Sequence, residues 1–319
     1  MPVLTAALQF PQDLLCMKFI SFRTSGYDSY GVVTENGIVD AAPVSHEIGA
    51  TLREALERGS LDALADYAAS TSDRLAWRDV EFLPVIPEPR KILCVGINYL
   101  SHVKETGRDV PDKPMLFVRF AESQTAHEGP IVRPLASERL DFEGELAVVI
   151  GKHARHVKVA DAFDVVAGYS CYNDGSIRDW QRHTSQFTPG KNFPCTGGFG
   201  PWLVTADEVG DPSQLSLTTR LNDEIMQQAT TDDLIFPVPQ LIEYCSTFCA
   251  LSPGDVIITG TTGGVGAFRN PPLWMKAGDV VEIEISRIGT LRNIVVDEVV
   301  SGNVRDVAAA RESLEPGRA

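Results

Sequence analysis

Leu140-Asp141-Phe142-Glu143-Gly144-Glu145-Leu146 runs without a break into the β-rich stretch Ala147-Val148-Val149-Ile150. On a strand, residues two apart project to the same face, so Glu143 and Glu145 would stand side by side in one site. Like charges that close are costly unless a cation lies between them or one carries a proton. Ligands that are all oxygen favour a hard divalent ion, Mg²⁺ or Mn²⁺, with water or substrate completing its shell. A solvated strand face is the plain alternative for an isolated Glu-Gly-Glu. Downstream, Asp174 reads as a third ligand or as the N-cap of the helix it precedes.

Outward from this stretch, the chain beyond residue 91 is dominated by β-branched or alternating runs between Gly/Pro turns. They fall at 92–95, 115–119, 145–150, 202–205, 216–221, 256–259 and 280–285. Helical spacing is confined to 101–106, 159–163, 176–183 and 238–250. Regular βαβ alternation is missing, which predicts a sheet-dominated α+β body. Upstream, 17–89 reads as a small N-terminal α/β unit with short strands at 18–23, 30–34 and 37–40. Asn36-Gly37 marks a hairpin turn within it, a helical segment covers 48–69, and Ile86-Pro87-Glu88-Pro89 is the connector. Residues 1–16 read as an extension and 301–319 as a tail, leaving 90–300 as the catalytic domain.

A formal charge of −15 over 319 residues argues against nucleic acid or an anionic membrane as partner, because both need a basic face. A small anionic substrate remains compatible, since a metal and a few local cations can invert the field inside one pocket. No apolar run approaches the length of a membrane span. The first fifteen residues carry no Lys or Arg and two prolines, a poor signal peptide. Six cysteines without C-x-x-C spacing read as free thiols of a reducing cytoplasm.

Two further clusters carry chemistry. In Asn98-Tyr99-Leu100-Ser101-His102-Val103-Lys104-Glu105, His102 and Glu105 share a helical face, the arrangement of a general base held by a carboxylate. Thr188-Pro189-Gly190-Lys191-Asn192-Phe193 sets a lysine between turn residues and an aromatic, where it would meet an anionic carboxylate or enolate. The Gly-rich loop at 260–266 lacks the Lys-Ser/Thr of a P-loop and reads as a tight turn at the pocket edge. His127, His153 and His156 read as surface residues, and His183 as a candidate substrate contact.

With these motifs in order, the chain resembles the fumarylacetoacetate hydrolase family over roughly residues 91–298. The resemblance rests on 98–105, on the Glu143/Glu145 pair with Asn173-Asp174 through Gln181, on 190–202, and on the loop that starts at Thr259. It implies a mixed β-sandwich roll, a homodimer, and Mg²⁺ or Mn²⁺ held by Glu143, Glu145 and Asp174. It also implies a catalytic His102–Glu105 dyad on a lid, with Lys191 completing the catalytic set and Gln181 beside it in the site. Thr261 matches a threonine that binds a 2-oxo acid carboxylate, and Tyr99 and Arg178 join the candidate substrate contacts. Family members often carry Arg at Ile97, Lys-Pro at Arg119-Phe120, and Pro at Thr262. The first two differences are expected to alter the polar rim of the pocket.

The expected activity is metal-dependent hydrolysis of a carbon–carbon bond in a 2,4-dioxo acid, such as an acylpyruvate, fumarylpyruvate or diketo-deoxy sugar acid, releasing pyruvate and a second acid. The ion would polarise the 2-oxo carbonyl, His102 would activate water, and Lys191 would offset enolate charge. Oxaloacetate decarboxylation and 2-oxo acid isomerisation need the same enolate and stand as alternatives. A silent metal-binding scaffold is the alternative of another class, and a zinc hydrolase is disfavoured because no His cluster has zinc spacing.

Overall fold

The computed structural model describes residues 17–299. The expected N-terminal extension 1–16, with Cys16, and the tail 301–319 lie outside the described residues. An eleven-stranded sheet forms the body. From one edge nine of its strands run in the order Gly37–Asp40, Tyr27–Thr34, Lys18–Thr24, Gly197–Thr205, Val166–Asp174, Gly144–Ile150, Val256–Thr261, Ile92–Gly96 and Met115–Arg119, while Glu81–Phe82 pairs with Lys18–Thr24 and Gln124–Ala126 with Gly197–Thr205. The leading unit enters this sheet through Lys18–Thr24, which pairs antiparallel with Gly197–Thr205. A five-stranded sheet, ordered Glu224–Thr230, Ser216–Leu221, Val280–Ile285, Gly289–Asp297 and Pro130–Arg133, packs against it.

Gly144–Ile150 is buried along its whole length. Its two-residue period sends Leu146, Val148 and Ile150 into one core with Leu217, Ile283 and Leu291 of the second sheet. Ala147 and Val149 point into the other core, with Phe19, Leu52, Tyr172 and Phe199. A strand covered on both faces needs apolar residues at every position, hence the unbroken run in the sequence. No helix among the described residues is long and apolar enough to cross a membrane.

Several elements differ from expectation. Val166–Asp174 is a nine-residue strand that apolar patterning does not announce. Its buried polar groups are satisfied individually: Ser170 Oγ donates to Gly200 O at 3.1 Å, and Asn173 Oδ1 accepts from Glu143 N at 2.9 Å. Glu224–Thr230, Gly289–Asp297 and Pro130–Arg133 are likewise strands. The segment expected as one helix over 48–69 is two helices, Leu52–Arg58 and Leu61–Ser70, divided at Gly59, whose φ of 64° stops the first in a left-handed cap. The helix expected over 176–183 is reduced to Arg178–Gln181, because Ser176–Ile177 instead pair with Leu140–Asp141.

Candidate active site

Glu143, Glu145 and Asp174 offer carboxylate oxygens that all lie within 4.8 Å of one another, each residue buried. Strand pairing sets them there: Gly144 stands opposite Asn173, and Asp174 N donates to Glu143 O at 2.8 Å. Gly144 itself has no room for a side chain. A Cβ there would meet Thr219 Oγ1 at 2.2 Å and Ile283 Cδ1 at 3.1 Å, so the glycine lets the second sheet close beneath the two glutamates. Of the two sequence readings of Asp174, the N-cap is not realised, since Ile177 holds that position for Arg178–Gln181.

Three buried cations answer these acids. Lys191 Nζ donates to Glu143 Oε2 at 2.6 Å and to Asp174 Oδ2. Arg178 Nη1 meets Glu143 Oε1 at 2.6 Å while its Nε meets Asp141 Oδ2 at 2.8 Å. Arg119 Nη1 meets Asp174 Oδ1 at 2.6 Å, with its other nitrogens on Thr196 and Ser123. Arg119 was expected at the pocket rim; at 3% exposure it lies beneath Asp174, where only a long, forked cation reaches these acceptors together. Ile97, by contrast, does border the pocket. Burial alone would raise the Glu143 carboxyl, but Arg178 and Lys191 override it and hold it at about 2. The Lys191 ammonium, which burial would lower, is raised instead by Asp174 and Glu143.

Glu145 is different. No Lys, Arg or His among the described residues pairs with it, and its carboxylate accepts from Gly260 N. Burial, with Asp174 and Glu143 beside it, pushes its carboxyl well above the usual range. Three clustered oxygens, one on a buried acid without a cation, are the donor set that a hard divalent ion fits.

The dyad stands on the helix Leu100–Thr106. His102, 6% exposed, bonds Glu105 Oε2 through Nδ1 at 2.9 Å, and Glu105 Oε1 accepts from Gly264 N at 2.9 Å. Ser101 Oγ and Thr262 Oγ1 are 3.0 Å apart. The Gly-rich loop is thus more than an edge turn, because it anchors the helix. Beyond it, Gly266 N and Ala267 N donate to Asp141, and the Phe268 ring stands edge-on to His102 at 6.0 Å.

His102, Glu143, Glu145, Lys191, Arg178, Gln181 and Thr261 border one cavity of about 70 Å³. Four candidates do not reach its wall. Asp174 sits behind Lys191, Glu105 behind His102, and Tyr99 is fully buried with a β-bridge to Leu234. His183 is exposed and packs on Trp180. Sequence reasoning missed Asp141 and Gln227. Gln227 Oε1 accepts from Gly144 N at 2.9 Å, while its Nε2 donates to Thr261 Oγ1 at 2.8 Å and Thr262 O at 2.9 Å. It lies on a strand that patterning did not reveal, whereas Asp141 was in plain view one turn of alternation before Glu143.

An acid triad that could hold a metal ion, a His–Glu pair and a buried lysine gather at one cavity of a two-sheet body. The chain matches the fumarylacetoacetate (FAA) hydrolase C-terminal model over residues 91–296 and belongs to that family. It is 38% identical over 306 residues to a human mitochondrial oxaloacetate tautomerase, covering 92% of this chain and 98% of the relative. Among solved structures it is similar to a fumarylacetoacetate hydrolase from psychrophilic Exiguobacterium antarcticum, with TM-score 0.77 and 34% identity over 88% of this chain and 100% of that one. A maleylpyruvate hydrolase from Sphingobium sp. SYK-6, solved with manganese(II) and pyruvate, has TM-score 0.75 and 27% identity over 89% of this chain and 100% of that one.

Proposed function

We propose that this chain is a divalent-metal-dependent enzyme of small 2-oxo acids and that its reaction is keto–enol tautomerisation of oxaloacetate. The observation that carries the reading is His102, paired with Glu105, on the wall of the cavity that also holds Glu143, Glu145 and Lys191. The 38% identity to an oxaloacetate tautomerase across nearly its whole length supports this choice of reaction over hydrolysis. Glu143, Glu145 and Asp174 would hold Mg²⁺ or Mn²⁺, which when bound polarises a 2-oxo carbonyl as a Lewis acid. His102 takes a proton from C3 through Nε2, while the Nδ1 bond to Glu105 fixes the ring and stabilises its cation. The C3–H electron pair becomes the C2=C3 double bond, the C2=O π pair moves to O2, and the His102 imidazolium returns its proton to O2 as the enol forms. Lys191 offsets the negative charge that gathers on O2. Thr261 and Gln181 meet the C1 carboxylate, and Arg178 orients Gln181 through a 3.0 Å bond to its Oε1. Tyr99 supports the dyad helix from within the core.

Hydrolysis of a 2,4-dioxo acid is the second reading, favoured by the likeness to a maleylpyruvate hydrolase. There His102 would take its proton from water. The test follows enol oxaloacetate by ultraviolet absorbance, and pyruvate release from oxaloacetate and a panel of acylpyruvates. Each runs with Mg²⁺, with chelator, and with His102→Ala. Metal- and His102-dependent enol conversion without pyruvate is expected; pyruvate from acylpyruvates would replace the reading with hydrolysis, and pyruvate from oxaloacetate with decarboxylation. A homodimer belongs to the same proposal: the edge strand Met115–Arg119 leaves Met115, Val118 and adjacent Phe120 exposed, an apolar row a second copy would cover. So does a reducing cytoplasmic compartment, which the free thiols of Cys94, Cys171, Cys245 and Cys249 suit, although the human relative is named as mitochondrial.

A further inference from the structure

The mouth of the cavity carries charge that the reaction above does not use. Arg108 and Arg182 both border it, and both are exposed. Among the described residues neither guanidinium forms an ion pair or hydrogen bond with a carboxylate, and neither does nearby Arg139. Every other arginine among the described residues has a side-chain hydrogen bond or an ion pair, to a carboxylate or to the backbone, whereas these three have neither.

Placement sets these groups apart from ordinary solvated arginines. Arg182 follows Arg178–Gln181 directly, so it shares an anchor with the residues at the cavity floor. Its guanidinium lies over the Phe268 ring, 5.7 Å from the centroid, and the same ring stands edge-on to His102. The aromatic face holds the cation at the opening and leaves its N–H fork free. Arg108 follows Gly107, the left-handed cap that ends the dyad helix, and so reaches the cavity from a different element. Burial lowers the Arg182 pKa, repulsion from Arg178 and Arg108 lowers it further, and Asp141 acts in the opposite sense.

We propose that Arg182 and Arg108 form a second anion subsite that binds the distal carboxylate of the substrate and selects dicarboxylic over monocarboxylic 2-oxo acids. This rests on the reading that the cavity binds a 2-oxo acid by its C1 end against Glu143, Glu145 and Thr261. With that end inside, the C4 carboxylate of a four-carbon diacid points to the mouth. The planar fork of an arginine matches a carboxylate in two-bonded geometry, and two forks carried by different elements would fix its direction.

The test compares oxaloacetate with pyruvate, which shares the C1 end and lacks the distal carboxylate. Binding of each is measured calorimetrically with Mg²⁺ on a His102→Ala background, and tautomerisation separately in the otherwise intact enzyme. Arg182→Gln and Arg108→Gln lie on the exposed rim and leave the fold unchanged. Each variant is expected to weaken oxaloacetate about tenfold, the effect of losing one charge-assisted bond at a half-solvated site, and to leave pyruvate within about twofold. In turnover, KM for oxaloacetate rises while kcat holds. Equal binding of oxaloacetate and pyruvate before substitution would overturn the subsite, as would parallel weakening of both in the variants. Selective oxaloacetate binding without tautomerisation would retain the subsite and reject the proposed reaction. Tautomerisation with KM unmoved in the double variant would do the reverse.

Discussion

Lys191 Nζ donates to Glu143 Oε2 at 2.6 Å and shares itself with Asp174, so one ammonium bridges two acids inside the protein. Removing one partner of a buried pair leaves an uncompensated charge. Lys191→Met is therefore expected to lower the stability of the metal-free protein by roughly 3–5 kcal/mol. A divalent ion seeks the same oxygens, so Mg²⁺ should restore more stability to the variant than it adds to the parent. Thermal melts with Mg²⁺ and with chelator measure both terms. A variant as stable as the parent without metal would show that Lys191 is not what balances the acids.

Glu145 completes the argument from the other side. It is buried, bonded to Gly260 N, and without a cation of its own. Arg119, Arg178 and Lys191 already balance its neighbours. Chelation should thus stop turnover while the fold persists. Saturating Mg²⁺ should stabilise the protein by about 2.7 kcal/mol at a hundred times Kd. In Glu145→Gln the neutral amide removes the unpaired charge: the metal-free melting temperature should rise or hold, and its Mg²⁺ response vanish. An undiminished Mg²⁺ shift in this variant would take Glu145 out of the ligand set.

The dyad separates cleanly from the metal. Glu105 touches His102 and Gly264 N and neither Glu143, Glu145 nor Asp174. Glu105→Gln keeps the shape but weakens the hold on the imidazolium, and kcat should fall by about 10²-fold, in the range for a positioned proton-transfer group. The Mg²⁺-induced melting shift should stay that of the parent. Loss of both together would mean that the helix Leu100–Thr106 had moved.

What the sequence disclosed and what it hid divide along one physical line. Glu143, Glu145, His102 and Lys191 were legible because their spacing alone puts them on one face or in one turn, and the structure brings them to one cavity. Period-two and period-3.6 patterns likewise disclosed the strands that bury apolar residues. Val166–Asp174 escaped because four of its seven buried positions are Gly168, Ser170, Asn173 and Asp174, the polar ones satisfied by hydrogen bonds that only the folded neighbours supply. Arg119 escaped for the same reason. Nothing local distinguishes an arginine at a strand end that reaches solvent from one that turns inward to Asp174. The unpaired arginines at the mouth were invisible too, because having no partner is a property of the fold.

Gln227 gives the sharpest check of how far support for the site extends. It lies 1% exposed, between Gly144 on one strand and Thr261 and Thr262 on the loop that anchors the dyad helix. Gln227→Ala strips three buried bonds at once, and each unsatisfied buried group costs about 1–3 kcal/mol before the site relaxes. Water can enter the space left and satisfy part of the set, so the expected loss is about 2–4 kcal/mol rather than the full sum. Thr261 then keeps only its bond to Gly144 O and can turn away from the substrate carboxylate. KM should rise several-fold while kcat falls less, since Glu105 keeps its bond from Gly264 N and the dyad helix keeps the bond from Ser101 N to Asp233 Oδ2, neither made through Gln227. A lowered melting temperature with unchanged KM would make Gln227 a support of the fold alone. An unchanged melting temperature would mean that the three bonds are made equally well by water.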